Sequence, residues 1–194
     1  MKLLIALLAS ISTVNTCGAQ GIQPTTIKGH EIGESAEDFF SKAGHSELLT
    51  TCQEKKQKPD KKTCEAVRGA LAGMRVETTD PKWKRTDSAI LSGRKLVRVH
   101  MTFALPMAEV LPDLENKYGK ASSFSVEKSQ NGYGATWEVG RAFWDMPDGT
   151  VISAIESVSF LGSLGYVHFV DVELRSKEEA SNDARRNEGR HIQL

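Results

Sequence analysis

Apolar and polar positions alternate most clearly in two parts of the chain, and both predict strands. Across Lys95–Phe103, Val97, Val99, Met101 and Phe103 alternate with Arg98, His100 and Thr102. This period of two gives one apolar face and one wet face. Residues 88–91 precede it across Ser92-Gly93, which completes a hairpin pattern. Residues 134–174 read as a β-meander: a strand over 135–146, a turn at Pro147-Asp148-Gly149, a strand over 150–160, a turn within 162–165, and a strand over 166–174. In the first turn Pro sets φ at the second position, Asp tolerates the third, and Gly accepts the left-handed conformation that closes it. Two of the three Trp and three of the seven Phe fall in this stretch, so the main core is expected around it. The alternation slips within 135–146, where Trp137, Val139 and Phe143 share one parity, Arg141 interrupts them, and Trp144 falls on the other. A bulge near Gly140 would account for the slip.

Helical spacing dominates elsewhere. Residues 20–33 are polar and expected to be extended. Ser35-Ala36-Glu37-Asp38 has capping-box spacing and predicts a short helix carrying Phe39, Phe40 and Ala43 as far as Gly44. Ser46 is expected to cap a second helix with Leu48, Leu49 and Cys52 inward. A loop with five lysines over 55–62 follows, and its bland interpretation is a solvated turn. A third helix from Asp60 or Thr63 places Cys64, Val67, Leu71 and Met74 on one stripe. Residues 106–118 predict a fourth, with Met107, Val110, Leu111, Leu114 and Tyr118 on one side and Gly119 as its stop. Pro112 costs ~3 kcal/mol in a helix interior, so that helix is expected to begin near Ala108 or to kink. Residues 124–128 and 135–144 form another hairpin around Asn131-Gly132. From Arg175 to the end, nine of twenty residues are charged and no packed face can be drawn, which predicts a frayed helix or a disordered tail. The fold class is α+β: a helical, disulfide-clamped part over 20–78, an antiparallel β-β-α-β-β-β-β unit over 79–174 with its helix on one face, and a charged tail over 175–194. A division near 79–83 would allow two subdomains.

The first nineteen residues read as a secretory leader: Lys2, an apolar run over 3–11, and Cys17-Gly18-Ala19 before a cut after Ala19. The run is shorter than the ~20 apolar residues that span a bilayer. No later segment qualifies, because the most apolar one, Thr150–Phe160, carries Glu156. The alternative is an envelope lipoprotein anchored through Cys17, although Val14-Asn15-Thr16 makes a poor lipobox. The localisation is therefore secreted or periplasmic. Of 25 basic and 25 acidic side chains only Lys2 leaves with the leader, so the mature chain carries a net charge of −1. That balance provides no electrostatic case for nucleic acid or an anionic membrane. Cys52 and Cys64 remain, an even count that favours a disulfide in an exported chain. A loop this short would be worth roughly 3 kcal/mol in the chain-entropy model. A redox pair or metal site is the lesser alternative, without a Cys-x-x-Cys motif or a suitably spaced His.

Several of these pieces occur together in a known setting. They are Gly29-His30-Glu31-Ile32-Gly33-Glu34 leading into Ser-Ala-Glu-Asp-Phe-Phe, the later Cys pair, Lys117-Tyr118-Gly119-Lys120, and Trp144 ahead of Pro147-Asp148-Gly149. The combination resembles small exported proteins of unknown function from soil bacteria of the acidobacterial type. The likeness covers about two-thirds of the mature chain. Such proteins usually carry Pro where this chain has Ala121. The resemblance implies export and a fold, and no activity.

Signatures of chemistry are scarce. There is no Gly-x-Ser-x-Gly elbow, P-loop, His-Glu-x-x-His or EF-hand loop, and Gly132-Tyr133-Gly134 lacks the third Gly of a dinucleotide fingerprint. No cofactor is implied. Of the five histidines, His30, His45 and His191 are expected to be solvated or capping, whereas His100 and His168 fall in strands. His100 shares a face with Arg98 and Thr102, and Glu138 would lie near it if the strands pair as drawn. Such a couple suits acid–base chemistry or half a metal site, and equally an exposed face with cross-strand charge pairing. Trp137 and Trp144, on opposite parities, suggest one core and one partly exposed residue, and an exposed Trp beside Arg141 would suit a partner anchor. The favoured function is a non-catalytic binding or interaction module, its partner unknown and its candidate surface Trp144, Arg141, Arg98, His100 and Glu138. The alternative is an exported hydrolase-type or metal-assisted enzyme using His100, His168 and Glu138, or a structural role in the envelope.

Overall fold

A computed structural model describes residues 24–42, 52, 61–78, 86–130, 132, 134–160 and 166–191. The expected leader, Cys17, Ala43, His45 and most of the expected second helix lie outside the described residues. Nine strands and four helices are described. A two-residue hairpin, β1 Thr26–Ile27 and β2 His30–Glu31, opens the order. Lys28 and Gly29 both have positive φ between them, the geometry of a two-residue hairpin turn. Helix α1, Ala36–Phe40, starts as its capping pattern predicts, with the Ser35 hydroxyl accepting from the Asp38 amide. Helix α2 is Lys61–Leu71. Strands β3 Val76–Thr78, β4 Ser88–Ser92 and β5 Lys95–Phe103 follow. Helix α3, Met107–Tyr118, then leads to β6 Ser123–Gln130, β7 Thr136–Asp145, β8 Thr150–Phe160 and β9 Tyr166–Ser176, and α4 is Lys177–His191.

Strands β3 to β9 form one antiparallel sheet in the order β3-β4-β5-β9-β8-β7-β6. The connection through α3 carries the chain from β5 to the far edge at β6. The meander then returns strand by strand until β9 closes against β5. The α3 side of the sheet holds the core, with Leu96, Val99, Met101, Ala142, Trp144, Ile152, Ala154, Val170, Val172 and Leu174 buried together with Met107, Val110 and Leu114 of the helix. Ile27, Phe39, Phe40, Val67 and Ala70 belong to the same cluster. Backbone bonds from Gly33 to Leu96, Leu96 to Glu34 and Ala36 to Arg94 tie the N-terminal part to β5. The 20–78 part therefore shares its core with the sheet and even contributes β3 to it.

Cys52 and Cys64 form a disulfide with Cα atoms 5.3 Å apart, inside the ordinary range of about 4.4–6.8 Å. Pro147-Asp148-Gly149 turns as expected, Gly149 at φ 82° and its amide bonded to the Met146 carbonyl at 3.0 Å. Among the described residues, no helix is long and apolar enough to cross a membrane.

Of five local expectations, three are corrected by the structure and two are met in part. The β6–β7 register runs without interruption through Gly140, so no bulge forms there; the β7–β8 pairing instead begins only at Arg141↔Ile155. Helix α3 begins at Met107, one residue from the expected start near Ala108, with Pro106 as its N-cap residue, and runs through Pro112. Met74 lies past the end of α2 and is 63% exposed, because the helix stops at Leu71 before its stripe is complete. His30 is buried against the Phe39 ring and bonded to Glu34, so it is not solvated. The charged tail takes the helical one of its two expected forms: β9 runs to Ser176 and α4 follows directly.

Candidate functional site

The two faces of the sheet offer different chemistry. On the face away from α3, cross-strand register sets Arg98 opposite Arg175, His100 opposite Glu173, and Thr102 opposite Asp171. His100 lies 3.4 Å from both Glu173 and Asp171, and Thr102 donates to Asp171 at 2.8 Å. The bond to Glu173 holds the His100 imidazolium above the usual histidine range, against the opposing effect of burial. The same bond holds the Glu173 carboxyl below the usual carboxylate range. Helix α4 covers one end of this face. Glu179 accepts from Arg75 at 2.8 Å and Arg98 at 3.2 Å, and Asp183 pairs with Arg98 and, at 3.4 Å, with Arg175. Burial opposes ionisation of Glu179, and the bonds to Arg75 and Arg98 outweigh it, so its carboxyl is lowered. These charges neutralise one another within the molecule, which suits a structural network.

On the α3 side, the end of β7 before Arg141 is not paired with β8. The carboxylate of Glu156 takes over some of the missing bonds. It accepts from the Gly140 amide at 2.8 Å, the Met107 amide at 3.2 Å and His168 Nδ1 at 2.8 Å. Glu156 therefore closes the N-terminus of α3, where amides lack intrahelical partners and a negative charge is favoured. Gly140 is required here: a Cβ would lie 2.7 Å from Met107 Cγ. Between the helix start and strands β6 and β7 a hollow of about 200 Å³ remains, walled by Met107, Ala108, Leu111, Phe124 and Val126 and including Glu138, Gly140 and Glu156. It lies against the edge of the sheet, because β6 is its last strand. Phe124 and Val126 are 50% and 54% exposed.

The residues singled out in the sequence are dispersed over this architecture. Trp144 is 1% exposed, its indole N–H donating to the Gly119 carbonyl at 2.8 Å, so it anchors α3 to the sheet and cannot anchor a partner. It takes the core parity with Ala142, which leaves Arg141 on the opposite one, 3.3 Å from Glu127. Trp137 is the half-buried tryptophan, its ring 5.7 Å from Tyr166. His100 and Glu138 do not meet: β9 and β8 separate their strands, and Glu138 joins the hollow on the α3 side while His100 faces away from it. His168 pairs with Glu156 on the α3 side, so His100, His168 and Glu138 form no single site. Among the described residues, no group of three or more His, Cys, Asp and Glu is placed to hold a metal.

Sequence reasoning passed over Glu156, although a lone Glu inside the most apolar strand was its visible signal. No protein-family model, curated protein or solved structure matches the chain.

Proposed function

We propose that this chain is an exported, non-catalytic interaction module that receives an extended segment of another protein along the free edge of β6. One observation carries the proposal. The last strand of the sheet is eight residues long, exposed from Ser123 to Lys128, and lies beside an apolar hollow into which Phe124 and Val126 face. Edge strands present unpaired backbone groups, and soluble proteins usually shorten, charge or cover them. The opposite edge, β3, conforms with only three residues. A long edge beside a hollow is the arrangement that strand addition uses, where backbone bonds supply affinity and pockets supply selectivity. The leader-like N-terminus and the disulfide support export. The enzyme alternative loses its support because its three residues do not converge.

The test is an NMR titration of the isotope-labelled mature chain with extended peptides of alternating Thr and Val. Shifts confined to β6 and the start of α3 are expected, and they should disappear in Phe124→Lys/Val126→Lys, which places charges on exposed positions without disturbing the core. Shifts located on another surface, or the absence of any, would sink the proposal.

A further inference from the structure

The hollow beside β6 has an electrostatic character that goes beyond edge pairing. Its walls are apolar, yet among the described residues the two ionisable ones that line it are both acidic, Glu138 and Glu156, and no Lys or Arg does. Glu156 is committed to three internal donors. The Glu138 carboxylate makes no hydrogen bond or ion pair among the described residues. Lys128 stands opposite Glu138 in the β6–β7 register, but no ion pair joins them. An exposed apolar surface ending at an unpaired carboxylate complements a side chain with an apolar stem and a cationic tip.

Size and reach narrow the occupant. Small-molecule pockets run from about 300 to 1,000 Å³, whereas this hollow, at about 200 Å³, suits a side chain. Neighbouring strands lie about 4.8 Å apart, so the β7 backbone is about 10 Å from a strand added outside β6. Val126 stands opposite Gly140 and Lys128 opposite Glu138, so a side chain crossing β6 over Val126 meets Glu138 only on the diagonal and must be long. Arg and Lys are the long side chains with a charge opposite to Glu138. We infer that the groove between α3 and β6 is a recognition pocket for a basic side chain, arginine or lysine, presented by an extended peptide with an apolar residue two positions away. Alternation along the added strand then sets the apolar residue over Phe124 while the cation reaches Glu138. This inference rests on the β6 edge being the docking edge.

The experiment uses the mature chain and three capped nine-residue peptides, identical in their alternating Thr and Val except for a central Arg, Gln or Glu. Binding is measured by calorimetry and located by NMR. The Arg peptide is expected to bind about fivefold tighter than the Gln peptide, the scale of one partly exposed ion pair, with the Glu peptide weakest. Glu138→Gln, an exposed substitution that circular dichroism should show to be folded, is expected to remove the preference while leaving the Gln peptide unaffected. Equal affinities for all three peptides at β6 would overturn the pocket and leave the docking edge standing. A preference undiminished in Glu138→Gln would overturn the pocket too. Binding by none of the peptides would overturn both. Arginine amide binding as tightly as the Arg peptide would replace the peptide with a small cation and overturn the assignment.

Discussion

Gly140 shows how much one missing side chain decides. It stands where α3 crosses closest to β7, and a Cβ there would lie 2.7 Å from Met107 Cγ and 3.0 Å from Met107 Cβ. These are atoms near the helix backbone, not the flexible end of the side chain. In an open strand, replacing Gly by Ala stabilises by about 0.4–1 kcal/mol through the unfolded state. Overpacking costs about 1–3 kcal/mol, so the clash should win. Gly140→Ala is expected to lower the urea midpoint by an amount within that range and to shift the amide resonances at the start of α3. The sequence marked Gly140 as unusual but for another reason, a bulge. Side-chain parity alone cannot separate a strand that slips from one that keeps register beneath a crossing helix. For the same reason Trp144 was ambiguous: its burial follows from α3 and the Gly119 carbonyl lying over it.

At the scale of elements, α4 was the least legible. Its residues lack an apolar stripe, and helical stability usually comes from burying one. Here the helix is fastened by charge: Glu179 and Asp183, four residues apart, fall on one face and meet arginines from three separated places, Arg75, Arg98 and Arg175. Glu179 is 7% exposed as a residue, and its removal takes the carboxylate from Arg75 and leaves Arg98 with Asp183 alone. Glu179→Ala is expected to destabilise the chain by about 1–3 kcal/mol, the cost of stranding buried polar partners, and to raise amide exchange along α4. An unchanged urea midpoint and unchanged exchange would show that α4 is held by something else. The hairpins and the α3 helix were readable because each states its own period and its own turn. Their expected bounds differ from the observed ones by a few residues at most.

For the whole molecule, one seven-stranded sheet and one core make stability depend on charges that lie between strands. The contribution of the His100–Glu173 pair has a definite pH window. His100 is raised above its ordinary value of 6.5, so its contribution is full below that pH and lost as pH rises through the raised value. Glu173 is lowered from 4.5, so its contribution is full above that pH and lost as pH falls through the lowered value. The pair therefore contributes fully between pH 4.5 and 6.5. The native chain is expected to lose urea midpoint above pH 6.5, and His100→Gln to flatten that decline, as a paired pH series of unfolding curves would reveal. An identical alkaline decline in both proteins would place its origin elsewhere.

By itself the sequence determined the local elements and the α+β class, along with the pairing of Cys52 with Cys64. These rest on periodicity, turn residues and residue counts, which are properties of neighbouring positions. The tertiary structure alone decided which strand became the far edge and that the N-terminal part shares the sheet's core. It also decided that Glu156 faces Met107 and Gly140, and that Glu138 has no ion-pair partner among the described residues beside exposed Phe124 and Val126. Each of these depends on contacts between segments far apart in the chain, and above all on where α3 carries the chain between β5 and β6, which no local pattern encodes.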